Sequence, residues 1–98
     1  MIVMLHPTVP KTKKEVFSEL DGLLDDDIKE KLVTADETFE FHFSIGLWIR
    51  NHWIHGKDEA DVKHLAKLFR EDPDCFHPDD LSSKIIEYYQ RYLKRNRA

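Results

Sequence analysis

Apolar residues recur at intervals of three and four along most of the chain, the period of an amphipathic helix. Val16, Phe17, Leu20, Leu23 and Leu24 form the first such stripe, and Ile28, Leu32 and Val33 a shorter second one. Val62, Leu65, Ala66, Leu68 and Phe69 form another, and Leu81, Ile85, Tyr88, Tyr89, Tyr92 and Leu93 the last. Polar side chains with capping chemistry precede each stripe. Thr12-Lys13-Lys14-Glu15 has capping-box spacing, Asp25-Asp26-Asp27 and Asp58 can accept from free backbone N–H groups, and Pro78 suits a first helical turn ahead of Asp79 and Asp80. Gly56 and Glu71-Asp72-Pro73-Asp74 supply stops. Pro7 and Pro10 disfavour helix before them, so residues 1–11 are expected to be an extended lead-in, with Val3 and Leu5 able to dock on the core.

The stretch 38–54 breaks this regular pattern. Phe39, Phe41, Phe43, Ile45, Leu47, Trp48, Ile49, Trp53 and Ile54 surround nearly the whole helical wheel. Alternation over Phe39, Phe41, Phe43 and Ile45 would also suit a strand. The length of the stretch, and a second capping-box spacing at Thr34-Ala35-Asp36-Glu37, favour a helix. A helix that is apolar all round is a buried one. Gly46 lies inside it, where a missing side chain lets a neighbouring helix approach. The reading is an all-α fold: a compact bundle of about five helices around a central apolar helix at residues 38–54, with residues 1–98 forming one domain.

Composition supports folding. The chain has 98 residues, 41% apolar and 11% aromatic, with three glycines and four prolines, which excludes the disordered class. Net charge is −4, unlike a protein that neutralises phosphates along its whole surface. The charge is uneven: residues 25–40 hold seven acids and two bases, residues 84–98 five bases and one acid. Both blocks read first as solvated helix faces. The second, with Tyr88, Tyr89 and Tyr92, also offers a basic-aromatic surface for salt-sensitive nucleic-acid binding. The tyrosines' helical spacing assigns most of them to the core, so nucleic acid is an unfavoured partner. The single cysteine, Cys75, forbids an internal disulfide and suits a reducing compartment. The N-terminus lacks a basic n-region and a cleavage site, and no segment has bilayer-spanning length. The expected location is therefore cytoplasmic, with no membrane partner.

No phosphate-binding loop, dinucleotide fingerprint, nucleophile elbow or His-Glu-x-x-His motif is present, and no cofactor is expected. Asp74 beside Cys75 disfavours a reactive thiolate. No metal is expected, although His52 and His55, three apart, are candidates. His42, ten residues before His52, lies too far along a helix to join their shell, and a third ligand such as His64 or His77 would have to come from the tertiary fold. The polar residues His42, Arg50 and Asn51 interrupt the aromatic segment. A buried Arg50 needs a counter-charge, and Asp79 or Asp80 is the expected partner. That cluster fixes helix register in one reading and marks a functional surface in the other.

Phe41-His42-Phe43-Ser44-Ile45-Gly46-Leu47-Trp48-Ile49-Arg50-Asn51, followed by His77-Pro78-Asp79-Asp80-Leu81-Ser82, resembles a family of small bacterial or phage-borne helical domains of unknown function. The family pattern is roughly F-H-F-G-L-G-x-W-I-R-N, then H-P-D-D-x-S. Ser44 replaces a family glycine, and His52 stands where asparagine is common. The resemblance implies a mostly helical domain and no particular activity. It singles out His42, Trp48, Arg50, Asn51, His77, Asp79, Asp80 and Ser82 as a binding or structural polar cluster.

Three functions remain open from the sequence. The first is a non-enzymatic interaction or regulatory module, joined to another protein or to itself as a homodimer. The second is a small hydrolase-like enzyme using His42, His77, Asp79 and Asp80. The third is a nucleic-acid binder through the last helix. Eleven aromatics in so short a chain favour the first, since aromatics that a small core cannot hide mark interfaces.

Overall fold

Side-chain caps set the starts of three helices in the computed structural model, which describes residues 8–36 and 38–96. Helix α1 spans Lys13–Leu23. Thr12 Oγ1 accepts from the Glu15 N–H at 3.1 Å, and Glu15 reaches back to accept from the Lys11 N–H at 2.8 Å. Helix α2, Asp26–Thr34, is capped by Asp25, which accepts from the Ile28 N–H at 2.9 Å. Helix α3 covers 39–54. Helix α4, Glu59–Leu68, starts on Asp58, which accepts from the Ala60 N–H at 2.9 Å. Helix α5, Pro78–Asn96, begins on proline, and His77 Nδ1 accepts from the Asp79 N–H at 3.2 Å. Among the described residues the fold is entirely helical. The lead-in is non-helical over residues 8–12, and Val9 joins the core. The expected docking of Val3 and Leu5 lies outside the described residues.

Two local features depart from the sequence reading. Thr34 does not cap α3. It is the last residue of α2, and its hydroxyl donates to the Glu30 and Lys31 carbonyls at 3.1 and 3.2 Å. Its proposed capping partner Glu37 lies outside the described residues. Helix α4 ends with Arg70 at φ 64°, a left-handed position usually given to glycine. The Glu71 N–H bonds the Ala66 carbonyl and the Arg70 N–H the Lys67 carbonyl, at 2.9 and 3.1 Å. That is a Schellman ending built on arginine, leading directly into the Glu71–Asp74 stop expected from the sequence.

Helix α3 is continuous but not uniform. A 3₁₀ turn at Phe39–Phe41 leads into π-helical turns at His42–Gly46 and Arg50–Ile54, with α geometry at Leu47–Ile49 between them. The second π segment closes with the His55 N–H on the Arg50 carbonyl at 2.7 Å, five residues back. In a regular α-helix each step of four residues drifts about 40° around the axis. Wider π turns reduce that drift. The rows Phe41, Ile45, Ile49, Trp53 and Gly46, Arg50, Ile54 thus both stay on the buried side. Burial is one-sided as a result: Phe43 and Leu47 project outward, contrary to the all-round burial expected of this helix.

Helix α5 touches α1, α2 and α3 and the residue that ends α4. It packs on α2 and α3 along its length. Tyr92 stacks on Phe17 of α1 with ring centres 4.7 Å apart, and Tyr88 meets Phe69, just past α4, edge-on at 5.2 Å. Gln90 donates to the Leu32 and Ala35 carbonyls at 2.8 and 3.0 Å and so satisfies the C-terminal end of α2. Asp21 accepts from the Tyr89 and Tyr92 hydroxyls at 2.6 and 3.1 Å.

Burial first, and then the Asp21 hydrogen bond, push both phenols above their ordinary range, Tyr89 far above it. Tyr89 stays protonated in the folded chain at pH values where the unfolded chain has lost that proton. Its contribution to stability is complete below about pH 10 and declines above it. The unfolding free energy should then fall by up to about 1.4 kcal/mol per pH unit on account of Tyr89. Urea denaturation of the wild type and Tyr89→Phe between about pH 9 and 11.5 checks this. The wild type should lose stability more steeply than the variant.

Candidate functional site

The guanidinium of Arg50 is the centre of the polar cluster. The π turns of α3 aim it across Gly46 toward the start of α5. Arg50 is buried, and it is satisfied on three nitrogens. Nε lies 3.3 Å from Asp79 Oδ1, Nη1 donates to Ser82 Oγ at 3.0 Å, and Nη2 donates to the His42 carbonyl at 3.5 Å. Ser82, fully buried, in turn donates to the Asp79 carbonyl at 3.0 Å. The carboxylate of Asp79 is half-exposed and has the exposed His77 ring 4.0 Å from its second oxygen. A buried charge with a carboxylate, a hydroxyl and a carbonyl around it is compensated rather than poised to react.

The structure brings Arg50, Asp79, Ser82, His77 and the His42 backbone together. The His42 ring lies one turn to the side, with Nδ1 3.5 Å from Ser83 Oγ and its ring edge-on to Phe43 at 5.2 Å. At 3.5 Å between Oγ and Nδ1 this contact is at the long edge of hydrogen-bond distance. Asp80 points to solvent and has no ion pair among the described residues. Asn51 is exposed on another face. Trp48 stands apart from the cluster, half-buried, stacked on His52 at 4.3 Å and edge-on to Trp53 at 5.3 Å. His52 Nδ1 is 2.9 Å from the Trp48 carbonyl, which ties up the nitrogen facing its own helix. Among the described residues no three His, Cys, Asp or Glu side chains converge as a metal shell would need. His64, the other possible ligand, lies against the Lys11 carbonyl at 2.7 Å.

A second feature was not legible as a site. The end of α1, the outer side of α2 and the first half of α3 enclose an open groove of about 470 Å³. Leu23, Leu24, Ile28, Phe41, Ile45 and Trp48 line it, with Lys31, Ser44 and Glu40 at its rim. Next to it on α3 stand Phe43 and Leu47, 71% and 47% exposed, and Leu23 is 42% exposed. The apolar pattern assigns Leu23 and Leu24 to a core stripe and Phe43 and Leu47 to a buried helix; Leu24 does pack on the core, whereas Leu23, Phe43 and Leu47 are exposed. The available signal was the surplus of aromatics, which told of an exposed apolar face without placing it.

A smaller opening of about 390 Å³ near Cys75 is lined by Val62, Lys63, Pro73 and Phe76 among others. Lys63 there is paired with Glu59 and Asp74 at 3.2 and 3.4 Å, and hydrogen bonds to those two carboxylates raise its pKa. Cys75 itself is exposed.

A family model for DUF6794, a domain of unknown function, matches residues 9–93. The chain belongs to the DUF6794 family. No curated protein and no solved structure matches it. The matched span takes in all of α1 to α4 and most of α5, so both the Arg50 cluster and the apolar groove are inside the DUF6794 domain. No helix is long and apolar enough to cross a membrane among the described residues.

Proposed function

We propose that this DUF6794 domain is a non-enzymatic protein-interaction module and that its docking face is the α1–α2–α3 groove with the Phe43–Leu47 ridge. The observation that carries this reading is the exposure of Phe43, Leu47 and Leu23 beside an apolar groove. Folded domains rarely present large contiguous apolar surface to water unless something covers it. The Arg50 cluster supports the face from behind. It holds α3 against α5 so that the π-turn geometry, and with it the outward aim of Phe43, is kept.

The hydrolase reading has less behind it, because His77 and Arg50 share Asp79 and the His42–Ser83 contact is long. The nucleic-acid reading loses its stacking platforms. Tyr89 is buried, Tyr92 lies on Phe17, and Tyr88 is flanked by Lys13 and Arg91 at 5.1 and 5.5 Å. We place the module in a bacterial or phage-encoded cytoplasmic protein, acting as one domain. Its lone exposed thiol suits a reducing compartment.

Photo-crosslinking from a benzoylphenylalanine at position 43, in the cell of origin, tests the module reading. A single defined protein adduct is expected, lost when Leu47→Asp is added. No adduct, or a smear unaffected by Leu47→Asp, would show that the ridge docks on nothing.

A further inference from the structure

We infer that the occupant of the groove is a second copy of this chain, in a two-fold symmetric dimer. The inference rests on the docking-face reading above and specifies its partner. It comes from three observations on one face. Phe43 and Leu47, one turn apart, make a ridge, and the groove opens on the adjoining side of the same helix. Ridges on helices pack into grooves of neighbouring helices. A surface that carries both can satisfy both by a two-fold rotation, since an isologous interface matches each element with its counterpart on the partner.

The rim charges fit the same rotation. Lys31 of α2 and Glu40 of α3 stand at the groove edge with opposite signs, both exposed, and neither has an ion pair among the described residues. A two-fold axis that sets Lys31 of one copy opposite Glu40 of the other makes that contact twice. A partner with a uniform charge would meet one favourable and one unfavourable rim residue. The Lys31–Glu40 pair is thus complementary to itself. The ridge in the groove supplies the apolar centre of the interface, and the two ion pairs supply its polar edge.

Sedimentation equilibrium on the purified full chain, over about 1–200 μM, reads the association directly. A dimer is expected within that range. Phe43→Asp, at a position already exposed in the single chain, should weaken it at least about a hundredfold, as the loss of a central aromatic anchor does. Lys31→Glu and Glu40→Lys alone should each weaken it about tenfold, because each converts two attractive contacts into two repulsive ones. The double variant Lys31→Glu/Glu40→Lys should recover most of the loss. Circular dichroism on each variant separates lost association from lost folding, and the recovery by the double variant cannot come from unfolding.

A strict monomer at 200 μM overturns the inference, as does a dimer indifferent to Phe43→Asp or a double variant no better than the singles. If the chain is monomeric while position 43 still crosslinks to one protein of a different mass in the cell, the module reading stands and its partner is another chain. If the chain is monomeric and no adduct forms, both readings fall.

Discussion

Asp79→Ala should destabilise this domain by about 2–3 kcal/mol, more than Arg50→Met does. The asymmetry follows from which group is left behind. Arg50 is 8% exposed, whereas the Asp79 side chain is about half in water. Removing the carboxylate leaves a guanidinium under α3 with one hydroxyl and one distant carbonyl for company. Breaking a fully buried pair in this way costs about 3–5 kcal/mol. The figure is reduced here because water reaches the Asp79 side of the cluster. Replacing Arg50 by methionine instead removes the buried charge, keeps much of the volume, and leaves an aspartate that water can hydrate. That change should cost within about 1 kcal/mol, since apolar replacements of buried ion pairs are often neutral. The double variant should be no less stable than Arg50→Met alone. Asp80→Ala is the control for helix-end electrostatics. It sits in the same first turn of α5 but touches no guanidinium, so only about 0.3–1 kcal/mol is at stake. Urea unfolding of the four variants decides the matter. Equal losses for Asp79→Ala and Asp80→Ala would mean that the carboxylate acts on the helix dipole and not on Arg50.

Most of the architecture could be read from residues in sequence because it rests on local rules. Thr12, Asp25 and Asp58 cap because a short polar side chain before an apolar stripe has few other uses, and Pro78 opens α5 because its fixed backbone suits a first turn. Thr34 shows where that logic ends. Its hydroxyl can serve a following helix or bond back within its own, and the choice depended on how far α2 ran before Gln90 capped its carbonyls. Gln90 is 58 residues from Leu32, so nothing near Thr34 carried that information. The π turns of α3 were equally invisible. They show up in the pattern only as two rows at intervals of four, which a regular wheel spreads over too wide an arc. Apolar residues in nearly every direction of the wheel are what make Phe43 and Leu47 look buried.

The site divides along the same line. An arginine inside an apolar segment demands an acid, and the acidic start of α5 was the obvious supplier. The groove had no such signature, because its wall comes from three helices and each contributes residues that look like ordinary core. Ser83 carries no local signal either, since its contact with His42 spans 41 residues.

Gly46→Leu should be the most damaging single change in α3, and it tests whether the glycine exists to make room for Arg50. A Cβ at position 46 would lie 3.0 Å from Arg50 Nη1, 3.6 Å from Ile86 Cδ1 and 3.7 Å from Ser82 Oγ. Alanine is a close contest. It gains about 1 kcal/mol of helix propensity over glycine and asks the guanidinium to move by a few tenths of an ångström while it holds Ser82. The net effect should be within about 1 kcal/mol of the wild type. Leucine cannot be accommodated that way. Its further carbons need the space now taken by the guanidinium, the Ile86 methyl and the Ser82 hydroxyl, and the last two cannot leave while α5 stays in place. Overpacking costs about 1–3 kcal/mol, and pulling Arg50 away from Asp79 adds a share of the cost of breaking that pair. A total of about 4 kcal/mol is a large part of the 5–15 kcal/mol that holds a typical domain together. The expected observation is a chain largely unfolded at 37 °C by circular dichroism. Arg50→Ala vacates part of the same space, so the loss from Gly46→Leu should shrink by at least about 1 kcal/mol in that background. Additive losses would mean that Gly46 admits the backbone of α5 and that its proximity to Arg50 is incidental.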